Sequence, residues 1–256
     1  MSWGKPEIKS KFKITNMSIL KPYPKIYRNG PPYTLDPFFE DRKSKSGLNN
    51  LASYELLKND LKLIFEFIEP CPENQAIFSH KIYELLLRAC TEVESLCKQI
   101  FEANNKTAKN IIRFSDLESA MKLSSYNVKS YGFSYPEFHP FENFKSTVPR
   151  DNRSPLWYKA YNNVKHNRLE NFNDASLKNV IEAVGGVYVL LVASYGLGFD
   201  HNLKMSYHHH HMEDTPTFFR AIEPPIWEEF ENYSYNWENL KTETEKFQFH
   251  PLEQII

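Results

Sequence analysis

Cysteine is scarce: Cys71, Cys90 and Cys97 are all that 256 residues contain. An odd count without compact spacing argues against a disulfide framework and fits a reducing compartment. Cys90 and Cys97 lie seven apart on one predicted helix, roughly 10 Å from each other and too far to bridge, so they read as small core residues. A surplus of one charge is also missing. Lys and Arg number 31 against 32 Asp and Glu, a net charge of −1. No global field draws the chain to nucleic acid, and any such binding needs a local patch. Long apolar runs are absent too. The longest, residues 183–199, holds Gly185, Gly186, Ser194, Gly196 and Gly198 and falls short of the ~20 apolar residues of a membrane span. The first residues, Met1 to Lys9, lack the apolar stretch of a signal peptide. A cytoplasmic chain with no membrane contact is the expectation.

Several motifs are missing as well. There is no Gly-rich phosphate loop, no His-Glu-x-x-His, no Gly-x-Ser-x-Gly and no Cys-x-x-Cys. This removes P-loop ATPases, the corresponding zinc proteases and nucleophile-elbow hydrolases. His208 to His211 are four consecutive histidines. Alone they cannot form a fixed tetrahedral site, so they read as a polar loop, and no metal or cofactor is expected.

What the chain does have is helical periodicity. Residues 48–68 carry Leu51, Tyr54, Leu57, Leu61, Ile64, Phe65 and Ile68 on one face, stopped by Pro70 and Pro72. Residues 75–101 carry a second stripe through Phe78, Ile82, Leu85, Leu86, Ala89, Val93, Leu96 and Ile100, with Arg88 and Glu92 spaced to pair on it. Ser115 and Glu118 form a capping-box pattern that predicts a short helix to about Ser124. The stretch from Ala175 to about Tyr195 is apolar nearly all round, which suits the middle of a bundle, and Gly185-Gly186 suggests close helix approach there. Gly196 and Gly198 end it. Weak strand patterns occur at Lys11–Ile14, around Ser130–Tyr135 and at Thr217–Glu223.

Aromatics reach 15% of the chain, many outside these helices, as anchors for irregular segments. The reading is all-α: a four- or five-helix bundle with long irregular N- and C-terminal extensions and short strands. Residues 1–46 form a proline-rich arm, 47–199 the helical domain and 200–256 an irregular tail. Lys21, Lys25 and Arg28 give the arm its own cations, for a partner or nucleic acid.

The most informative stretch is Ser154 to Arg168. Ser154 can cap a helix and Pro155 suits the first helical position. Leu156, Trp157, Ala160, Tyr161 and Val164 make an apolar face, and Asn162 and His166, four apart, share a stripe beside it. Arg168 suits the negative end of the helix dipole. Arg150 and Arg153 make a basic approach to this helix.

This helix, with Trp157, Tyr158, Tyr161, Asn162, Val164, Lys165, His166 and Arg168, resembles the HEPN superfamily (higher eukaryotes and prokaryotes nucleotide-binding domain). The Leu85–Glu94 stretch and the Leu177–Leu191 helix add to the likeness, which covers roughly residues 48–198. The resemblance implies a HEPN-like bundle. It also implies a metal-independent endoribonuclease of a bacterial defence or toxin–antitoxin system, or a non-catalytic module for dimerisation or for binding RNA or protein. Many members carry an Arg, then a polar residue, then His after four to six intervening positions. Asn162 and His166 match; Tyr161 occupies the Arg position at four, and Lys159 lies at six.

Catalysis would then use His166, Asn162 and Lys159. Cleavage without metal needs a base for the 2′-OH and an acid for the 5′-oxygen, roles that imidazole serves. It also needs a cation on the transition-state phosphate. Lys165, Arg168, Arg153, Arg150 and Arg88 would bind RNA. The family's site is usually completed across a twofold, so a homodimer, RNA and a cognate antitoxin or other protein are the implied partners. A helical adaptor whose aromatic arms hold a partner is the remaining reading.

Overall fold

The computed structural model describes residues 19–28, 41, 43–106, 114–197, 199, 218–234 and 243–249. The expected strand at 11–14, the arm's prolines from Pro31 onward, Gly198 and the histidine run at 208–211 lie outside them.

Among the described residues six helices and a two-stranded sheet form, so the chain is predominantly helical: α1 Lys45–Phe65, α2 His80–Ala103, α3 Glu118–Met121, α4 Leu156–His166, α5 Arg168–Asn171 and α6 Leu177–Tyr195, with β1 Asn127–Ser130 and β2 Phe219–Glu223. Helices α2 and α6 make the central pair, and α1 and α4 each pack on both of them.

Three starts are set by serines. The side chains of Ser44, Ser79 and Ser176 accept from the backbone N–H groups of Gly47, Ile82 and Asn179, satisfying donors that a helix start leaves free. Helix α2 begins at His80 rather than near Gln75. The intervening residues turn their carbonyls to α6: Leu177 N–H donates to Ile77 O at 2.7 Å and Lys178 N–H to Gln75 O at 3.0 Å. The segment thereby closes the N-terminus of α6.

Helix α6 is long and apolar enough to span a bilayer by composition, but 83% of that window is buried inside the molecule. Its two central glycines admit aromatic rings. A Cβ on Gly185 would stand 2.5 Å from the Phe138 ring, and one on Gly186 3.1 Å from Trp157 of α4. Close approach to a helix therefore holds at Gly186, while Gly185 receives a loop residue.

Two local expectations are corrected. The Ser115–Glu118 capping box does not form. The Glu118 carboxylate instead reaches forward, accepting from Ser124 N–H at 2.8 Å and Ser124 Oγ at 2.6 Å, and Lys122 at φ 48° ends α3. Strand β1 lies at 127–130, before the alternating 130–135 stretch, because Gly132 turns the chain at φ 83°. β1 pairs antiparallel with β2, Val128 facing Ala221 and Ser130 facing Phe219.

The described parts of the arm and tail meet on the bundle. Tyr27 N–H donates to Ala193 O at 2.8 Å, and Glu245 N–H to Pro22 O at 3.0 Å. The Tyr233 hydroxyl donates to Ile26 O at 2.6 Å. Arg28 is 5% exposed, and its guanidinium lies 4.5 Å from the Trp227 ring centroid. It donates to the carbonyls of Ala120 and Glu231. This cation is a buried clasp and does not present a free charge.

Candidate functional site

Helix α4 carries the candidate row. Pro155, not Ser154, is its N-cap, and the Ser154 side chain makes no cap bond. Pro155 fixes an extended turn whose carbonyl accepts from Tyr158 and Lys159 N–H. The buried face is Trp157, Ala160, Tyr161 and Val164. The Trp157 indole N–H donates to Pro140 O at 2.8 Å, fixing the rotation of the helix about its axis.

That rotation sends Lys159 and His166 to solvent and leaves Asn162 half-buried. Positions 159, 162 and 166 fall on one stripe of the helix. No hydrogen bond or ion pair joins these three side chains to other described residues. The helix ends at His166, with Lys165 and His166 in its last turn. Arg168, expected near the end of the same helix, instead opens α5. Its guanidinium carbon lies 5.6 Å from the centroid of the Tyr83 ring on α2, with the side chain otherwise exposed.

A second stripe, Tyr158, Tyr161 and Lys165, turns toward α2. The Tyr158 hydroxyl donates to the Glu94 carboxylate at 2.8 Å. Burial, with Glu94 beside it, pushes the Tyr158 phenol well above its ordinary range. The Lys165 ammonium donates to the Tyr161 hydroxyl at 2.8 Å and lies 4.9 Å from that ring's centroid. The hydroxyl bond raises the Lys165 pKa, so it stays a cation. Sequence reasoning singled out Tyr161 and Lys165 separately without coupling them. The signal was present, since residues four apart on a helix are neighbours. The Tyr158–Glu94 bond had no local signal, because its partner is on another helix.

The remaining arginines do not join the row. Arg153 is 6% exposed and donates to Val148 O and Ser146 O, both at 2.7 Å. The expectation that it contacts RNA from the surface does not hold. Arg150 pairs with Asp116 at 3.6 Å. Arg88 pairs with Asp60 of α1 instead of Glu92, whose carboxyl pKa is raised by burial. The basic approach read from the sequence is therefore a set of loop and interhelix ties. Among the described residues no three His, Cys, Asp or Glu converge to hold a metal ion.

Chemically, the surface of α4 and the start of α5 offers an imidazole, an amide and three exposed cations, Lys159, Lys165 and Arg168. The tied residues Arg150 and Arg153 add no guanidinium to it. No family model, curated protein or solved structure matches the chain.

Proposed function

We propose that this chain is a HEPN-like helical module that binds single-stranded RNA across the outer face of α4 without cleaving it. The observation that carries the reading is the stripe of Lys159, Asn162 and His166, two of them exposed, whose side chains have no hydrogen-bond or ion-pair partner among the described residues. Lys165 and Arg168 stand beside it. Open cations supply the phosphate contacts that dominate RNA affinity. Lys165 and Arg168 additionally lie against the rings of Tyr161 and Tyr83, which hold the two exposed cations in place. Against cleavage, Tyr161 replaces the arginine of the HEPN pattern, and its hydroxyl is tied to Lys165. A lysine gives a point charge where a guanidinium would clamp phosphate in a bidentate fork.

The test is a titration with single-stranded RNA, comparing wild type with a Lys159→Glu/Lys165→Glu/Arg168→Glu variant. Affinity is expected to fall at least tenfold; equal affinity overturns the reading. A second reading, a metal-independent endoribonuclease, is favoured by the exposure of His166. In EDTA, RNA cleavage by wild type that His166→Ala abolishes would establish it in place of the first.

A further inference from the structure

On the outer side of α1, Ala52, Leu56, Asn59 and Leu63 follow one another at spacings of four, three and four. That is the a/d repeat of a helix that meets another helix. Phe67 stands just beyond. Nothing in the described chain covers this stripe: Leu56 is 60% exposed, Leu63 44% and Phe67 81%. Two hollows border it along the α1–α2 groove. One, of about 380 Å³, has an apolar wall of Leu63, Ile64, Phe67, Ile68 and Leu85 and a charged rim that includes Asp60, Glu84 and Arg88. The other, of about 330 Å³, sets Leu56, Leu57 and Leu87 beside Arg88, Thr91 and Glu92. One face thus carries apolar projections beside recesses of mixed apolar and charged lining, the two kinds of feature a self-complementary interface combines.

We infer that two copies of this chain pair through the α1–α2 face, with their α1 helices antiparallel about a twofold near Asn59. Charge selects the occupant. Most cations on this face stand beside anions, Arg88 by Asp60, Lys81 by Glu84 and Lys58 by Glu55, while Lys62 lies over the Phe218 ring. The surface neither repels a second copy of itself nor attracts nucleic acid. Charge also selects the direction. Antiparallel pairing sets Leu56 against the second copy's Leu63, Ala52 against its Phe67, and Glu55 against its Lys62. Parallel pairing would bring Glu55 toward Asp60, a like charge. The 21 residues of α1 span about 30 Å, and two helices are about 20 Å wide. That face is of the order of the ~800 Å² per partner that a stable complex buries.

This pairing is not the seam at α4 that the HEPN resemblance implies. The α4 row is polar, and the exposed leucines near it, Leu156 and Leu169, sit at its opposite ends. Helix α4 takes its main packing from α2 and α6, so the RNA reading and the pairing can fail separately.

Sedimentation equilibrium on the full chain, across a range spanning about 1 µM, is expected to show a mass rising from 30.2 kDa toward twice that value. Leu63→Glu and Phe67→Glu, both at exposed positions, are expected to weaken the dimer at least tenfold with unchanged helical circular dichroism. Glu55→Lys weakens it, and Glu55→Lys/Lys62→Glu restores it. A wild type that stays at the single-chain mass overturns the proposal. So does a dimer indifferent to Leu63→Glu and Phe67→Glu, or a charge swap that fails to restore pairing. A single-chain protein whose groove takes up an apolar dye likewise overturns it, and assigns the hollows to a small apolar ligand.

Discussion

A buried arginine and a half-buried glutamate separate structural from functional roles residue by residue. Arg153 looks like an RNA contact in sequence, one of three basic residues before or after a histidine-bearing helix. Its guanidinium instead bonds the carbonyls of Ser146 and Val148, shaping the loop that leads into α4. Arg153→Ala should cost about 2–3 kcal/mol, because it removes two hydrogen bonds from a charged donor that close this loop. It should lower Tm by roughly 5–10 °C while RNA affinity measured below that temperature is unchanged.

Glu182 on α6 makes a complementary case. Burial raises its carboxyl pKa above the ordinary 4.5, with Lys178 at 3.9 Å opposing the shift. The folded state therefore holds this proton more tightly than the unfolded chain. The stability it contributes is complete below about pH 4.5 and is lost as pH rises through the raised value. Glu182→Gln should raise the urea midpoint relative to wild type at neutral pH, and the gain should vanish at about pH 4. A gain independent of pH would show that the carboxylate charge is not its source. Neither role was legible in the sequence, since burial of a single charged side chain depends on which loop closes over it.

At the scale of elements, apolar periodicity located α1, α2, α4 and α6, because each buries a stripe set by its own repeat. Their ends were less legible. Helix α2 starts late because residues 75–77 serve the first donors of α6, a debt incurred a hundred residues downstream. Strand β1 was misplaced by the alternation around Gly132, where a positive φ interrupts extension. The glycines of α6 were legible as contact positions, yet what they touch was not. Gly185→Ala would place a methyl 2.5 Å from the Phe138 ring. The overpacking cost of about 1–3 kcal/mol exceeds the ~1 kcal/mol gained in helix propensity, so a net loss of thermal stability is expected. Gly196→Ala should lose more. Its φ of 84° disfavours any side chain, and the new methyl would meet the Tyr27 ring at 2.8 Å. Calorimetry on the two variants checks the order.

For the whole molecule, a near-zero net charge masks a division of surfaces. The outer face of α1 is apolar with paired charges, whereas the outer face of α4 is polar with open cations. The sequence pointed to α4 through its imidazole and amide. It left the α1 stripe unnoticed, because an exposed a/d repeat is told from a core stripe only once the buried face of that helix is known. Buried Tyr54, Leu57, Leu61 and Ile64 occupy the inward side, so Leu56 and Leu63 are left outside.

The most direct measurement is the salt dependence of single-stranded RNA affinity for the wild-type chain. Three open cations, Lys159, Lys165 and Arg168, each releasing a counterion, give a slope of about −2 in log affinity against log salt concentration. In the Lys159→Glu/Lys165→Glu/Arg168→Glu variant the slope should collapse toward zero. A wild-type affinity that is flat with salt, or a slope that the variant retains, would contradict RNA binding at α4.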